Sequence, residues 1–319
     1  MRSRITAGAF AAVLLLAGCS SGGREETDSA PKQSSGYTIA FVTHEKPGDT
    51  FWDKVRAGAE QAATDTGVDL KYSNDPDAGK QATLIQQAVD AKVQGIATTL
   101  VTPDALAGSV KAATGAGIPV VGLNAGIDQY KALGALMYFG SDETLAGESI
   151  GERLAAAGVK HPICVIHQEG SVSLEARCAG VKSKVAGTEN LQVNGADDAA
   201  VTTALQAKLA QDKSIDYIVT LGAPVALDAI QAMTQAASSA KLATFDLNKE
   251  TAQAVKDGKI QFAVDQQPYA QGYMAVTSLY LYLKNGNDLG GGGPVLTGPS
   301  FVDAANIDKI LPFTEKNTR

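Results

Sequence analysis

Histidine and cysteine are scarce in this chain. Its 319 residues hold three of each, His44, His161 and His167 with Cys19, Cys164 and Cys178. Their spacings assemble no recognisable metal ligand set, so neither a metal nor another cofactor is expected. The loops of common enzyme chemistries are missing as well. No G-x-S-x-G elbow occurs, and no G-x-G-x-x-G or G-x-x-x-x-G-K-[ST] loop follows a strand-like run. Long apolar runs are also lacking: residues 7–16 are too short to span a bilayer as a mature helix, and no later stretch is long and continuous enough. A net charge of -7, with acidic and basic residues interspersed, argues against nucleic acid as a partner.

What is present begins with a targeting segment. Arg2 and Arg4 make a basic start, the apolar run follows, and Leu16-Ala17-Gly18-Cys19 closes it. This resembles a bacterial lipoprotein signal. The resemblance implies removal of residues 1–18, lipidation of the Cys19 sulfur, and a chain anchored to the outer side of the cell membrane through that lipid. A plain secretory peptide with a chance cysteine is the simpler alternative. Residues 19–36 carry almost no apolar side chains and read as a flexible tether. Export would place Cys164 and Cys178 in an oxidising compartment, which leaves two readings: a disulfide closing a short segment, or two buried thiols.

After the tether, short strand-like runs alternate with longer amphipathic helical ones. Strands are expected at 37–42, 68–72, 95–101, 118–123 and 137–140, then at 163–167, 191–194, 217–221, 242–245 and 260–264. Such alternation implies βαβ units and parallel sheets. Ten strands in two successive sets predict an α/β protein of two doubly wound lobes, since one sheet of that width is uncommon. The first lobe is expected to comprise residues 37–140 plus 268–297, and the second 141–267 plus 298–319. Hinge crossings fall near 140–142, 266–268 and 298–302, with a ligand cleft between the lobes.

The richest stretch is residues 43–58, THEKPGDTFWDKVRAG, which joins the first strand to the first helix. A loop at the carboxyl end of a parallel strand is where open α/β sheets bind ligands. Asp49 would accept hydrogen bonds from hydroxyls, and Phe51 and Trp52 would cover the apolar C–H faces of a sugar. The plainer alternatives are a helix cap for Asp49 or Thr50 and core anchorage for the two rings.

From Tyr37 to about Ala305 the chain resembles the ribose-binding-protein-like solute-binding proteins, the type I two-lobed receptors of sugar ABC importers. The motifs are Asp49-Thr50-Phe51-Trp52, Ala57-Gly58-Ala59, Gly117-Ile118-Pro119-Val120-Val121, Phe245-Asp246, Asp257-Gly258-Lys259 and Gln266-Gln267-Pro268. The resemblance implies a monomeric binding protein, not an enzyme, that delivers a sugar or polyol to an importer permease. It implies ligand contacts from Asp49, Phe51, Trp52, Asn124, Asp246 and Gln266. Glu175 stands where ribose binders often carry a ligand arginine, with Arg177 in the place of a structural one.

Three departures from the family pattern bear on the ligand. Asn124-Ala125 replaces the frequent Asp-Arg, which removes a rigid fork of donors; Glu175 replaces arginine, and Gly222 replaces asparagine. A site richer in acceptors than donors is expected to suit a linear polyol, or a deoxy or amino sugar, better than a pyranose held by two arginines. Plainer roles for these residues are a helix cap for Asp246, a hinge role for Gln266, a turn for Asn124 and a favourable helix-dipole position for Glu175. His44 and His167 fall near cleft loops. Two carboxylates flanking a sugar would also suit glycoside hydrolysis, but the same pair binds hydroxyls without chemistry. A receptor read by a membrane sensor uses the same ligand-driven closure and stands as the alternative to import.

Overall fold

The computed structural model describes residues 34–46 and 48–319. The signal segment 1–18, Cys19 and the tether up to residue 33 lie outside the described residues.

Two six-stranded sheets organise residues 34–319. The first is built from β1 (Thr38–Thr43), β2 (Asp69–Asn74), β3 (Gly95–Thr99), β4 (Val120–Asn124), β5 (Met137–Ser141) and β11 (Val295–Gly298). The second contains β6 (Pro162–Ile166), β7 (Glu189–Gln192), β8 (Tyr217–Thr220), β9 (Lys241–Phe245), β10 (Phe262–Asp265) and β12 (Ser300–Asp303). Their orders correspond strand for strand, β2-β1-β3-β4-β5-β11 and β7-β6-β8-β9-β10-β12. The two-lobed α/β architecture is therefore as expected. Only the edge strand β12 runs against its neighbour, pairing antiparallel with β10.

Helices cover both faces of each sheet, so the central strands are buried along their whole length and are mostly apolar. On one face of the first sheet, α1 (Thr50–Thr66) and α9 (Pro268–Asn285) enclose Ile39, Phe41, Val55 and Leu279. On the other face, α2 (Ala78–Asp90) and α3 (Pro103–Gly115) cover Val42, Ile85 and Leu106. Close packing of α1 on α9 depends on Gly58, where a Cβ would collide with the backbone carbonyl of Tyr269.

In the second lobe, α4 (Glu143–Ala156) and α5 (Val172–Lys184) pack over Cys164, Ile166 and Phe245. There α5 is tied to β6 by a disulfide between Cys164 and Cys178, with Cα atoms 5.7 Å apart. The opposite face carries α6 (Asp198–Gln211), α7 (Ala223–Gln235), α8 (Lys249–Lys256) and α10 (Ile307–Thr314) around Val165, Leu205 and Ala263. Among the described residues, no helix is long and apolar enough to cross a membrane.

The chain passes between the sheets three times. It leaves the first after Ser141, where Asp142 caps α4 by accepting from the Leu145 amide. It returns at Gln266 and Gln267, and it crosses again at Pro299, between β11 and β12. These two four-residue strands and α10 were not anticipated from the sequence.

Candidate functional site

Because the strands of both sheets other than β12 run parallel and the sheets face each other, the carboxyl ends of those strands meet across a cleft. A cavity of about 300 Å³ lies there, lined from both lobes. That volume is at the small end of the range for ligand sites and suits a single sugar ring.

Two residues define its floor. Asn124 ends β4 and Asp246 follows β9, the corresponding strand of the other lobe, and both are held at φ 64°. Left-handed backbone is uncommon outside glycine, and Asn and Asp tolerate it best. Asp246 accepts from Gln266 Nε2 through both carboxylate oxygens, at 2.8 and 3.0 Å. Asn124 donates to Gln271 Oε1 at 3.3 Å, and Gln271 in turn donates to the Gln266 carbonyl and to Thr297. This chain of amides connects both floor residues to the second and third crossings.

The aromatic wall comes from the start of α1. Phe51 and Trp52 meet edge to face with ring centroids 5.0 Å apart, and both belong to the core of the first lobe as well as to the cavity lining. Asp49 likewise has two roles: it caps α1, accepting from the Phe51 amide at 3.0 Å, and it lines the cavity. Each plainer alternative from the sequence is therefore present alongside the cavity position.

Electrostatics in the cleft are dominated by burial. Burial raises Asp246 to about 7, against the opposing pull of Arg177 and the hydrogen bond from Gln266. Burial also raises Asp49. His44 is held at about 3 by burial and by the nearby His167, and His167 at about 4 by burial, Arg177 and Lys46. Both imidazoles are neutral near pH 7.

Glu175 is a correction to the sequence reading. It is exposed and does not line the cavity. On α5 the buried face is formed by Ser173, Leu174, Arg177, Cys178 and Val181. Glu175 precedes Arg177 by two residues, about 200° around the helix, so it points to solvent. Its place in the first turn is the favourable helix-dipole position. The α5 residues that line the cavity are Ser173, Leu174 and Arg177, the last buried in an ion pair with Glu143 and lying 4.1 Å from the Phe245 ring centroid. Burial pushes the Glu143 carboxyl up against the attraction of that guanidinium.

The sequence reading also missed Lys54, which is 1% exposed and donates to the Thr50 carbonyl at 3.0 Å. Asp246 and Asp49 are the largest of the favourable charges offsetting its burial. Its position on the face shared by Gly58 and Ala62 was the available signal, because those spacings of four mark the buried stripe of α1.

Two α/β lobes with a cavity between opposed strand ends form the type I periplasmic binding protein fold. The profile of the periplasmic binding protein domain family matches residues 39–288, and the chain belongs to that family. The chain is 54% identical to a carbohydrate transporter protein from Acidothermus cellulolyticus 11B, crystallised in complex with myo-inositol. That match covers 89% of this chain and 99% of the other, with a TM-score of 0.87. It is 24% identical, over 86% of its length and 73% of the relative's, to a xylose/arabinose-binding protein of Sulfolobus acidocaldarius. A solute-binding protein from Burkholderia graminis C4D1M, in complex with D-arabinose, shares the fold at 22% identity and a TM-score of 0.78, over 86% of this chain and 98% of that one.

Proposed function

We propose that this chain is the extracytoplasmic receptor of an ABC importer, and that it captures a polyol or sugar between its lobes, with inositol-type cyclic polyols the favoured class. The observation that carries this reading is the cavity itself. A half-buried carboxylate from one lobe and a buried one from the other, with buried amides, converge beside two aromatic rings, in a chain 54% identical over most of its length to one crystallised with myo-inositol. A ring bearing hydroxyls all round offers donors to Asp49 and Asp246 and C–H faces to Phe51 and Trp52. An acceptor-rich floor suits such a ligand without requiring the paired arginines of pyranose sites.

Binding from both lobes stabilises the closed arrangement only to the extent that the ligand prefers it, and that closed form is the one a permease would read. Leu16-Ala17-Gly18-Cys19 supports a lipid anchor at Cys19, which would keep the monomeric receptor beside its permease. Thermal shift against inositols, linear polyols, pentoses, hexoses and deoxy sugars tests the reading. A ligand of the native state raises apparent stability by RT ln(1 + [L]/Kd), so the account expects a clear rise with at least one inositol. A rise with common aldopyranoses and none with any polyol would shift the ligand class.

A further inference from the structure

His44 and His167 stand at corresponding places in the two lobes. One follows β1, the other follows β6, and those strands are equivalent in the two sheet orders. Both line the cavity, from opposite sides. In a chain with three histidines, two occupy this matched pair of strand ends.

The hydrogen bonds around His44 fix its tautomer. Thr99 Oγ1 accepts from Gln81 Nε2 at 3.0 Å and from the His44 amide at 3.2 Å, which uses both of its lone pairs. Its own hydrogen therefore points to His44 Nδ1, 2.8 Å away. Nδ1 is then an acceptor, and Nε2 carries the proton. Trp52, edge-on with its centroid 4.8 Å from that of the imidazole, holds the ring in place. Among the described residues, His44 Nε2 has no hydrogen-bond partner. The His167 ring has none at all, and its Nδ1 is buried. Gly195 packs against this residue, where a Cβ would collide with the His167 carbonyl oxygen and Cβ and press on the ring.

These nitrogens add to the cleft, from opposite lobes, neutral groups that can both donate and accept, beside the donor-only Lys46 and Arg177. Asp49 and Asp246 only accept when ionised, and burial works against their ionised forms, while the Asn124 amide already donates to Gln271. A ligand hydroxyl both donates and accepts. We propose that His44 and His167 are a matched pair of specificity residues that close on ligand hydroxyls from opposite lobes as neutral imidazoles, and that their protonation releases the ligand. The inference rests on the reading of the cleft as a polyol or sugar site.

Acid sensitivity follows from the surroundings. The charged groups lining the same cavity are Lys46, Asp49, Glu169, Arg177 and Asp246. Of these, Arg177 and Lys46 disfavour a proton on His167, and His167 disfavours one on His44. An imidazole in an open, solvated cleft titrates near 6.5. Opening of the lobes would lift the burial that holds both imidazoles low, so as the pH falls from about 6.5 towards 4 the open form would gain protons that the buried imidazoles refuse, and affinity would be lost across that window. Asp246 acts in the opposite direction, because burial favours its protonated form. The histidine contribution is therefore read as a difference between proteins, not from one curve.

Calorimetry with myo-inositol, or with the tightest-binding compound of the sugar and polyol panel, tests the pair. The proteins compared are wild type, His44→Phe, His167→Phe and the double variant His44→Gln/His167→Gln. At pH 7.5 each Phe variant should bind about tenfold more weakly or worse, since one hydrogen bond is removed from a buried partner, while thermal unfolding stays cooperative. Between pH 7.5 and 5, wild type should lose about thirtyfold more affinity per titrating histidine, on the order of a thousandfold for the pair, than the Gln double variant, which hydrogen bonds without titrating. Wild-type affinity in both Phe variants, or the same acid response in wild type and the Gln variant, would overturn the inference alone. A wild-type protein silent to every sugar and polyol would overturn the functional reading and the inference together.

Discussion

Asn124 and Asp246 adopt the same left-handed backbone, φ 64°, at the ends of equivalent strands, and each is hydrogen bonded to a glutamine of the second crossing region, Gln271 and Gln266 respectively. The two lobes thus present one polar residue each to the cavity from the same local geometry, and the two glutamines connect them through the Gln266 carbonyl. Residues that line the cavity and residues at the crossing are in contact here. On the proposed reading, that contact would couple closure to recognition.

Asp246→Ala should therefore cost far more affinity than any change on the outer face of α5. Hydrogen bonds to a charged group are worth about 1.5–3 kcal/mol, so the loss should be about tenfold to a hundredfold by calorimetry with the panel ligand. Glu175→Ala, exposed and outside the cavity, should leave affinity unchanged and stability within about 0.5 kcal/mol. Equal losses in the two variants would contradict the placement of both residues.

The contrast between Asp246 and Glu175 also marks how far the sequence could be read. Asp246, Asn124 and Gln266 each follow a strongly apolar strand, so their places at strand ends could be recognised in the motifs. Glu175 was misplaced because motif register along α5 says nothing about which face turns inward. That is settled by the period of Ser173, Leu174, Arg177 and Val181 against β6. The lobe architecture was legible from alternating periodicity over long elements. By contrast, β11 and β12 are four residues each, separated only by Pro299, and α10 is eight residues with Pro312 inside it. Pairing with β5 and β10, not local propensity, creates the two strands.

Asp246 should also shape the pH dependence of stability in the absence of ligand. Its folded-state value, about 7, lies above the ordinary 3.8. For a carboxyl raised in this way, the favourable contribution is complete below about pH 3.8 and is lost as the pH rises through 7. Asp246→Asn removes that loss. The stability of the variant relative to wild type, from urea unfolding, should therefore rise between pH 4 and 8 by on the order of 4 kcal/mol. Parallel curves would mean that Asp246 is ionised in the folded cleft.

The Arg177–Glu143 ion pair has both side chains 4% exposed. Arg177→Met leaves an unpaired buried carboxylate and should destabilise the second lobe by about 3–5 kcal/mol in urea unfolding. Arg177→Met/Glu143→Leu should cost less than Arg177→Met alone, because it removes the stranded charge. A double variant less stable than Arg177→Met would show that the pair contributes through packing on Phe245 instead.

Reduction of Cys164–Cys178, which are 14 residues apart, should lower stability by about 3 kcal/mol, as expected for releasing a loop of that size. Unfolding with and without a reductant, followed by far-ultraviolet circular dichroism, measures it. An unchanged midpoint would mean that the α5–β6 packing carries the segment without the bond.

Trp52 is the only tryptophan of the chain, lines the cavity and is 4% exposed, so its emission reports on the cleft and on no other region. A fluorescence titration with myo-inositol and the rest of the panel tests the central claim most directly. The account predicts a saturable, single-site change with at least one polyol or sugar. Flat emission across the whole panel would contradict a sugar or polyol site between the lobes.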